Sequence, residues 1–193
     1  MLSKLAALIL GIVSEKERNP YEITKMLGYL NTRKWLPLAD STVYATINNL
    51  KKNGLITGRH ERTGNLPEKT IYSISPEGES EFHESITNFL EEDITGPSNF
   101  DIGILLMHNL SKSEILMKLK KKLERLESNS YTIRKQILSF EMDPSKVAFT
   151  SLSMLKHRMH LIEAELKTIR ELIKELNIRQ TISYLSPFDM RMF

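Results

Sequence analysis

The chain contains no cysteine. That excludes a disulfide framework, a thiolate zinc site and cysteine-based redox sensing. Long apolar runs are missing too. The longest, residues 5–13 with Gly11 as its one interruption, is too short to span a bilayer, and no small-residue cleavage site of a signal peptide follows it. It is read as a buried first helix, and the chain as cytoplasmic, away from membranes. There is no P-loop, no dinucleotide fingerprint and no nucleophile elbow. No set of acids, bases and nucleophiles converges in sequence, so an enzyme is disfavoured and no cofactor is implied. His157 and His160 are three apart, but no carboxylate at metal spacing stands near them before Glu163. They read as surface histidines of a coiled coil, with no metal site.

Excess charge is also scarce, and it is localised. Residues 1–80 hold 11 basic and 8 acidic side chains, whereas residues 81–193 hold 16 of each. The whole net charge of +3 therefore lies in the first part of the chain, which favours a polyanionic partner there.

One stretch stands out from this background, residues 35–74. Asp40, Ser41 and Thr42 offer side-chain oxygens for a helix N-cap. Val43, Ile47 and Leu50 recur at helical spacing, and Gly54 supplies a left-handed stop. On a wheel of about 100° per residue, the face opposite that trio holds Ser41, Ala45, Asn48 and Lys52, flanked by Thr42, Tyr44 and Asn49. This face is polar, small at its centre and free of acids, as a helix entering a major groove requires. Residues 55–62 are compatible with a strand and 69–74 with its return, with Ile71 and Ile74 available to a core. Turn formers fill 63–68 between them. Residues 31–69 carry seven basic and three acidic side chains. A helix followed by a basic ribbon is the winged form of helix-turn-helix, whose ribbon reaches phosphates or the neighbouring minor groove. The candidate DNA contacts are then Ser41 and Thr42 to a phosphate at the helix N-terminus, Tyr44 to a phosphate, Asn48 to adenine and Lys52 to guanine or phosphate. Arg59, Arg62 and Lys69 serve the wing, with His60 among them.

The elements Trp35-x-Pro37, Ser41-Thr42-Val43-Tyr44, Leu50, Gly54-Leu55-Ile56, Pro67-x-Lys69 and Tyr72-Ser73-Ile74 together resemble PadR-type transcriptional regulators. The resemblance is close over residues 1–80 and loose in the C-terminal third. Two positions depart from it: Ala45 stands where proline is frequent, and Glu68 where the wing is often basic. The resemblance implies a homodimer that binds a double-stranded DNA operator, often as a repressor, and releases it in response to a small-molecule effector. It also places Trp35 between the DNA-binding and dimerising parts.

Around that stretch the chain is helical. Residues 2–14 form a helix whose apolar surface is broad enough to suggest burial against more than its own domain. Asn19-Pro20-Tyr21-Glu22 carries a cap, a first-turn proline and a capping-box acid, opening a helix with Ile23, Met26, Leu27 and Leu30 inward. Ser75-Pro76-Glu77 opens another, with Phe82, Ile86, Phe89 and Leu90 as its stripe. Gly96-Pro97-Ser98-Asn99 marks a boundary, dividing a winged-helix DNA-binding domain with its following helix (1–95) from a helical dimerisation domain (96–193). Residues 100–110 read as a short apolar helix tucked against the first domain or a partner.

Two heptad tracts follow. Leu116, Leu119, Leu123, Leu126, Ile133, Ile137 and Phe140 form the first, with Ser130 as a gap, behind a Ser111–Glu114 cap. Leu152, Leu155, Met159, Ile162, Leu166, Ile169, Ile173 and Leu176 form the second, after a turn at Asp143-Pro144. Equal seams joined by a short turn make an antiparallel helical hairpin, or the same helices paired across a dimer. Either serves dimerisation. A pocket near Met107, Met117 and Met159 is a candidate for an effector, and the apolar tail 182–193 is open to two readings, docking on the dimer or disorder. The expected fold class is mainly α with a small β wing, a winged helix-turn-helix followed by an antiparallel helical domain. The alternative function is a protein-interaction module in which the winged helix docks another protein and the hairpin only dimerises.

Overall fold

A computed structural model describes residues 1–29, 39–62, 68–93 and 96–178. The expectations placed on Leu30, Trp35, the 63–67 turn and the 182–193 tail lie outside the described residues. The chain divides into two compact units, Met1–Thr95 and Gly96–Phe193. The architecture is mainly helical with one two-stranded antiparallel sheet, a winged helix followed by a helical hairpin.

In the first unit, α1 (Lys4–Glu15) is capped by Ser3, whose hydroxyl accepts from the Ala6 N–H at 3.2 Å. Its apolar residues are spread around the helix, and they are spent inside this unit. Leu5, Ala6, Ile9, Leu10, Ile12 and Val13 are buried in one core with residues of α2, α3 and the sheet. The breadth of its apolar surface thus reflects a central helix enclosed by its own unit, and needs no second body to cover it. α2 (Pro20–Tyr29) begins with a reciprocal box: Asn19 N–H donates to Glu22 Oε2 and Glu22 N–H to Asn19 Oδ1, both at 3.0 Å. Ile23 and Leu27 face the core.

The sheet pairs β1 (Ile56–Glu61) with β2 (Lys69–Ile74), Ile56 opposite Ile74 and Glu61 opposite Lys69. Side chains alternate between faces along a strand. Tyr72 therefore enters the core and Ile74 packs against it, while Ile71 is buried without joining that cluster. Gly58 lies opposite Tyr72, and a Cβ there would come within 3.0 Å of the tyrosine ring. The connection between α1 and α2 adds a third edge to this ribbon: Arg18 N–H donates to Tyr72 O at 3.0 Å and Tyr72 N–H to Arg18 O at 2.8 Å. α4 (Pro76–Glu91) is capped by Ser75, with Pro76 at its start. Of its expected stripe, Phe82 reaches the core, but Ile86 is exposed and Leu90 is 83% exposed. Phe89 is half-buried, so the stripe is covered in part only.

The second unit opens with α5 (Asn99–Leu106), started by a Ser98–Asp101 capping box. None of its residues is buried, and Ile102, Leu105 and Leu106 remain exposed; Phe100 packs against the second unit's own core. The two long helices α6 (Lys112–Met142) and α7 (Phe149–Ile178) run back along one another across a turn of 3₁₀ helix at Pro144–Lys146. Ser111 and Glu114 form the box that starts α6. Ile115, Leu119, Ile169 and Leu176 build one core cluster, and Ile133, Met159, Ile162 and Leu166 another. Ser130 fills its place by donating to Met159 Sδ at 3.5 Å. Ion pairs lace the flanks: Lys122–Glu165 at 2.6 Å, Arg170–Glu127 at 2.8 Å, Arg134–Glu163 at 3.1 Å and Lys156–Glu141 at 2.6 Å. This is the charged-flank pattern of a coiled coil, closed here within one chain. No described helix is long and apolar enough to cross a membrane.

Candidate nucleic-acid interface

α3 (Asp40–Lys52) is held from one side. Val43, Ile47 and Leu50 are each no more than 3% exposed, and they anchor the helix to α1 and the sheet through the common core. The opposite side is open: Ser41, Thr42, Tyr44, Ala45, Asn48, Asn49, Lys51 and Lys52 are all exposed. Tyr44 is 45% exposed, so its ring is solvated over much of its surface and not packed into the core. Every DNA-contact candidate on this helix therefore lies on one outward surface.

Its ends differ from expectation at one terminus. The N-cap is Ala39, which has no side-chain oxygen to offer, and none of Asp40, Ser41 and Thr42 takes that role. Instead the Thr42 and Val43 N–H groups donate to the Ala39 carbonyl at 3.0 and 3.3 Å, which starts the helix one residue early. Asp40 then sits in the first turn, where its carboxylate suits the helix dipole. At the other end Gly54 adopts φ +74°. The Leu55 N–H bonds to Leu50 O at 2.9 Å and the Gly54 N–H to Lys51 O at 3.0 Å, a Schellman stop. That stop turns the chain directly into β1 and places the ribbon beside the end of the helix.

On the ribbon, alternation and register put Arg59, Glu61 and Lys69 on one face. The face is not simply basic. Arg59 Nη2 lies 2.7 Å from Glu17 Oε2 and Nη1 lies 2.8 Å from Glu61 Oε2. Its Nε also donates to Glu17 at 3.3 Å. Lys69 Nζ is 3.5 Å from the second Glu61 oxygen. The Arg59 guanidinium is driven further toward its charged form by its hydrogen bonds first to Glu17 and then to Glu61. Glu61 is held below the ordinary glutamate range by its bond from Arg59, with Lys69 adding to it and desolvation opposing. His60 Nδ1 lies 3.8 Å from Glu68, the acid at the atypical wing position. Arg62, just past β1, is exposed and has no ion pair among the described residues. Sequence reading missed Glu17. Glu61 was within reach of it, being two residues from Arg59 on the same strand face; Glu17 comes from 42 residues away.

The heptad residues named for dimerisation lie at the contact of α6 with α7 inside the chain. Leu119, Ile133, Met159, Ile162, Leu166, Ile169 and Leu176 are buried there. Leu116, Leu123, Leu126, Leu155, Ile137 and Ile173 pack against them half-buried, and Leu152 is half-buried near the start of α7. The methionine pocket does not assemble. Met159 is in the seam and Met117 is 57% exposed, while Met107 lines an apolar cavity of about 210 Å³ with Phe100, Ile104, Ile115 and Leu119 as neighbours and Lys118 and Lys122 beside it. No group of three or more metal-ligating side chains occurs among the described residues.

Residues 9–84 match the Transcriptional regulator PadR-like family. Among solved structures, the chain is similar to Bacillus subtilis PadR in complex with operator DNA, with a TM-score of 0.72 and 18% identity over 90% of this chain and 99% of that one. It is similar to the Vibrio cholerae virulence activator AphA, with a TM-score of 0.69 and 18% identity over 90% and 98%. Bacillus subtilis PadR in complex with p-coumaric acid gives a TM-score of 0.67 and 18% identity over 90% and 98%. The comparison with curated proteins gives no match.

Proposed function

We propose, for a chain whose residues 9–84 match the PadR-like family of transcriptional regulators, a homodimer that binds a DNA operator through α3 and the wing and represses by occupying it. The observation that carries the reading is the surface of α3. One helix face is locked into the core, and the other runs from Ser41 to Lys52 exposed and without an acid. On that face Asn48 is suited to an adenine edge and Lys52 to guanine or phosphate. Ser41, Thr42 and Tyr44 serve as phosphate contacts, and Arg59, Arg62 and Lys69 bring the wing to the backbone. The similar Bacillus subtilis PadR was solved on operator DNA.

A single winged helix reads few base pairs, so two copies on half-sites about 34–36 Å apart supply the affinity of a regulator. The hairpin is the dimerising element. Because its heptad seam is closed within the chain, the seam residues act by making the hairpin rigid, and the second copy meets outward-facing side chains. An effector acts by favouring a dimer geometry whose α3 spacing no longer fits the half-sites; a p-coumaric acid complex of the Bacillus subtilis protein supports a small molecule of this kind. The protein works in the cytoplasm, where its operator is. Sedimentation of the protein with a duplex carrying its operator tests the assembly. Two protomers per duplex are expected, and a lone protomer bound at full affinity would contradict it.

A further inference from the structure

We propose that Glu17, together with Glu61, is a specificity-determining residue: by holding the Arg59 guanidinium from both sides it keeps the wing from gripping DNA of arbitrary sequence. The inference rests on the DNA-binding reading above.

A guanidinium has five N–H donors and one positive charge. In Arg59 the Nε and Nη2 groups are committed to Glu17 and the Nη1 group to Glu61. Glu61 also faces Lys69. Glu17, Arg59, Glu61 and Lys69 thus form a row of alternating sign whose charges sum to zero, on a ribbon that looks basic when its own residues alone are counted. The backbone of Glu17 is held at this place along the ribbon. Its neighbour Arg18 is stitched to Tyr72 by two backbone hydrogen bonds, and Tyr72 lies next to Ile71, the register partner of Arg59. The sheet itself carries the carboxylate to the arginine.

The consequence differs between the two ways of binding DNA. On arbitrary sequence, phosphate contacts supply essentially all the affinity, and a wing of zero charge contributes little. On an operator, α3 sets the position of the wing relative to the backbone, and Arg59 can exchange its carboxylates for DNA. Exposed ion pairs are weak enough to be exchanged. The acids therefore penalise the wrong partner more than the right one, which is how specificity is widened.

The test is fluorescence anisotropy across a salt series, on the segment upstream of the protein's own gene and on a scrambled duplex of the same length. Glu17→Gln is expected to raise affinity for the scrambled duplex and to steepen its salt slope by up to about 0.9, the increment of one added phosphate contact. That makes the fall in affinity between 50 and 200 mM salt about threefold larger. The ratio of native to scrambled affinity narrows. Glu15→Gln, an exposed acid at the end of α1 outside the Arg59 pairs, leaves both unchanged. In an Arg59→Gln background, Glu17→Gln adds nothing. Equal shifts from Glu15→Gln and Glu17→Gln, or no shift from Glu17→Gln while the wild type binds DNA, overturn the inference alone. A wild type that binds neither duplex overturns the DNA-binding reading and this inference with it.

Discussion

Gly78 and Leu55 touch so closely that a Cβ on the glycine would overlap the leucine's carbonyl oxygen. The contact belongs to one junction. Ser75 donates to Gly54 O at 2.6 Å and accepts from the Gly78 N–H at 3.0 Å, so the first turn of α4 is clamped against the stop of α3. The exposed face of α3 is aimed by this clamp as much as by its own buried side. Gly78→Ala is therefore expected to lower the stability of the first unit by about 1–3 kcal/mol, the usual cost of forcing atoms into a packed site. Thermal melting checks it. A transition unchanged from the wild type would show that the junction yields freely.

At the same junction, Gly54 has φ +74° and nothing within 4 Å of where a Cβ would stand. Its requirement is for backbone conformation alone. Gly54→Ala is expected to cost about 1–2 kcal/mol for the left-handed conformation. Gly54→Asn should cost less, because asparagine tolerates that region. Denaturant unfolding of the two variants distinguishes this from a packing role, in which the larger asparagine would be the worse.

Much of this geometry is legible in residues. The Val43–Ile47–Leu50 spacing, the Asn19–Glu22 box and the 69–74 return strand are local patterns, and local patterns leave signatures. The failures are of two physical kinds. Some were local choices between near-equal options: three consecutive cap formers at 40–42 compete, and the helix begins from Ala39 ahead of them all. The others needed distance. Heptad spacing says that a stripe must be covered, but not whether α7 or a second chain covers it. No strand pattern reveals that a carboxylate 42 residues before Arg59 ends beside it. α5 looked buried because it is apolar, yet Ile102, Leu105 and Leu106 stay 41%, 45% and 39% exposed.

The Arg59–Glu61 pair sets a pH dependence. Glu61 has its folded pKa depressed. Its contribution is thus present above the unfolded value and is lost as pH falls through the folded one, so the ribbon's ion pairs weaken only on the acid side of the ordinary glutamate range. Titration of the Glu61 carboxyl by NMR should show this low midpoint, and Arg59→Gln should return it toward normal. A midpoint that ignores Arg59→Gln would mean that the pair does not persist in solution.

Ile169 is fully buried in the hairpin. Ile169→Ala is expected to cost about 2–5 kcal/mol, within the range for large-to-small core changes, and to weaken self-association with it. Sedimentation combined with thermal melting separates the effects. Lost stability with unaltered self-association would move dimerisation away from the hairpin.

On the reading helix, Lys52→Ala is expected to reduce affinity and flatten the salt slope by about 0.9 if Lys52 meets a phosphate. Asn48→Ala should leave the slope intact and reduce discrimination at one base pair by about 1–3 kcal/mol. Binding isotherms on a set of single-base operator variants report both. A slope that Lys52→Ala does not change would remove the phosphate contact from the assignment.

The measurement that bears most directly on the central claim is anisotropy of the wild-type protein on DNA from upstream of its own gene, against a scrambled duplex near physiological salt. Non-specific binding there should lie at roughly 10⁻⁴–10⁻⁶ M. Affinity for the native segment is expected to be orders of magnitude tighter, saturating at two protomers per site. Equal weak binding to both duplexes, or binding to neither even at low salt, would contradict a sequence-specific regulator that reads DNA through α3.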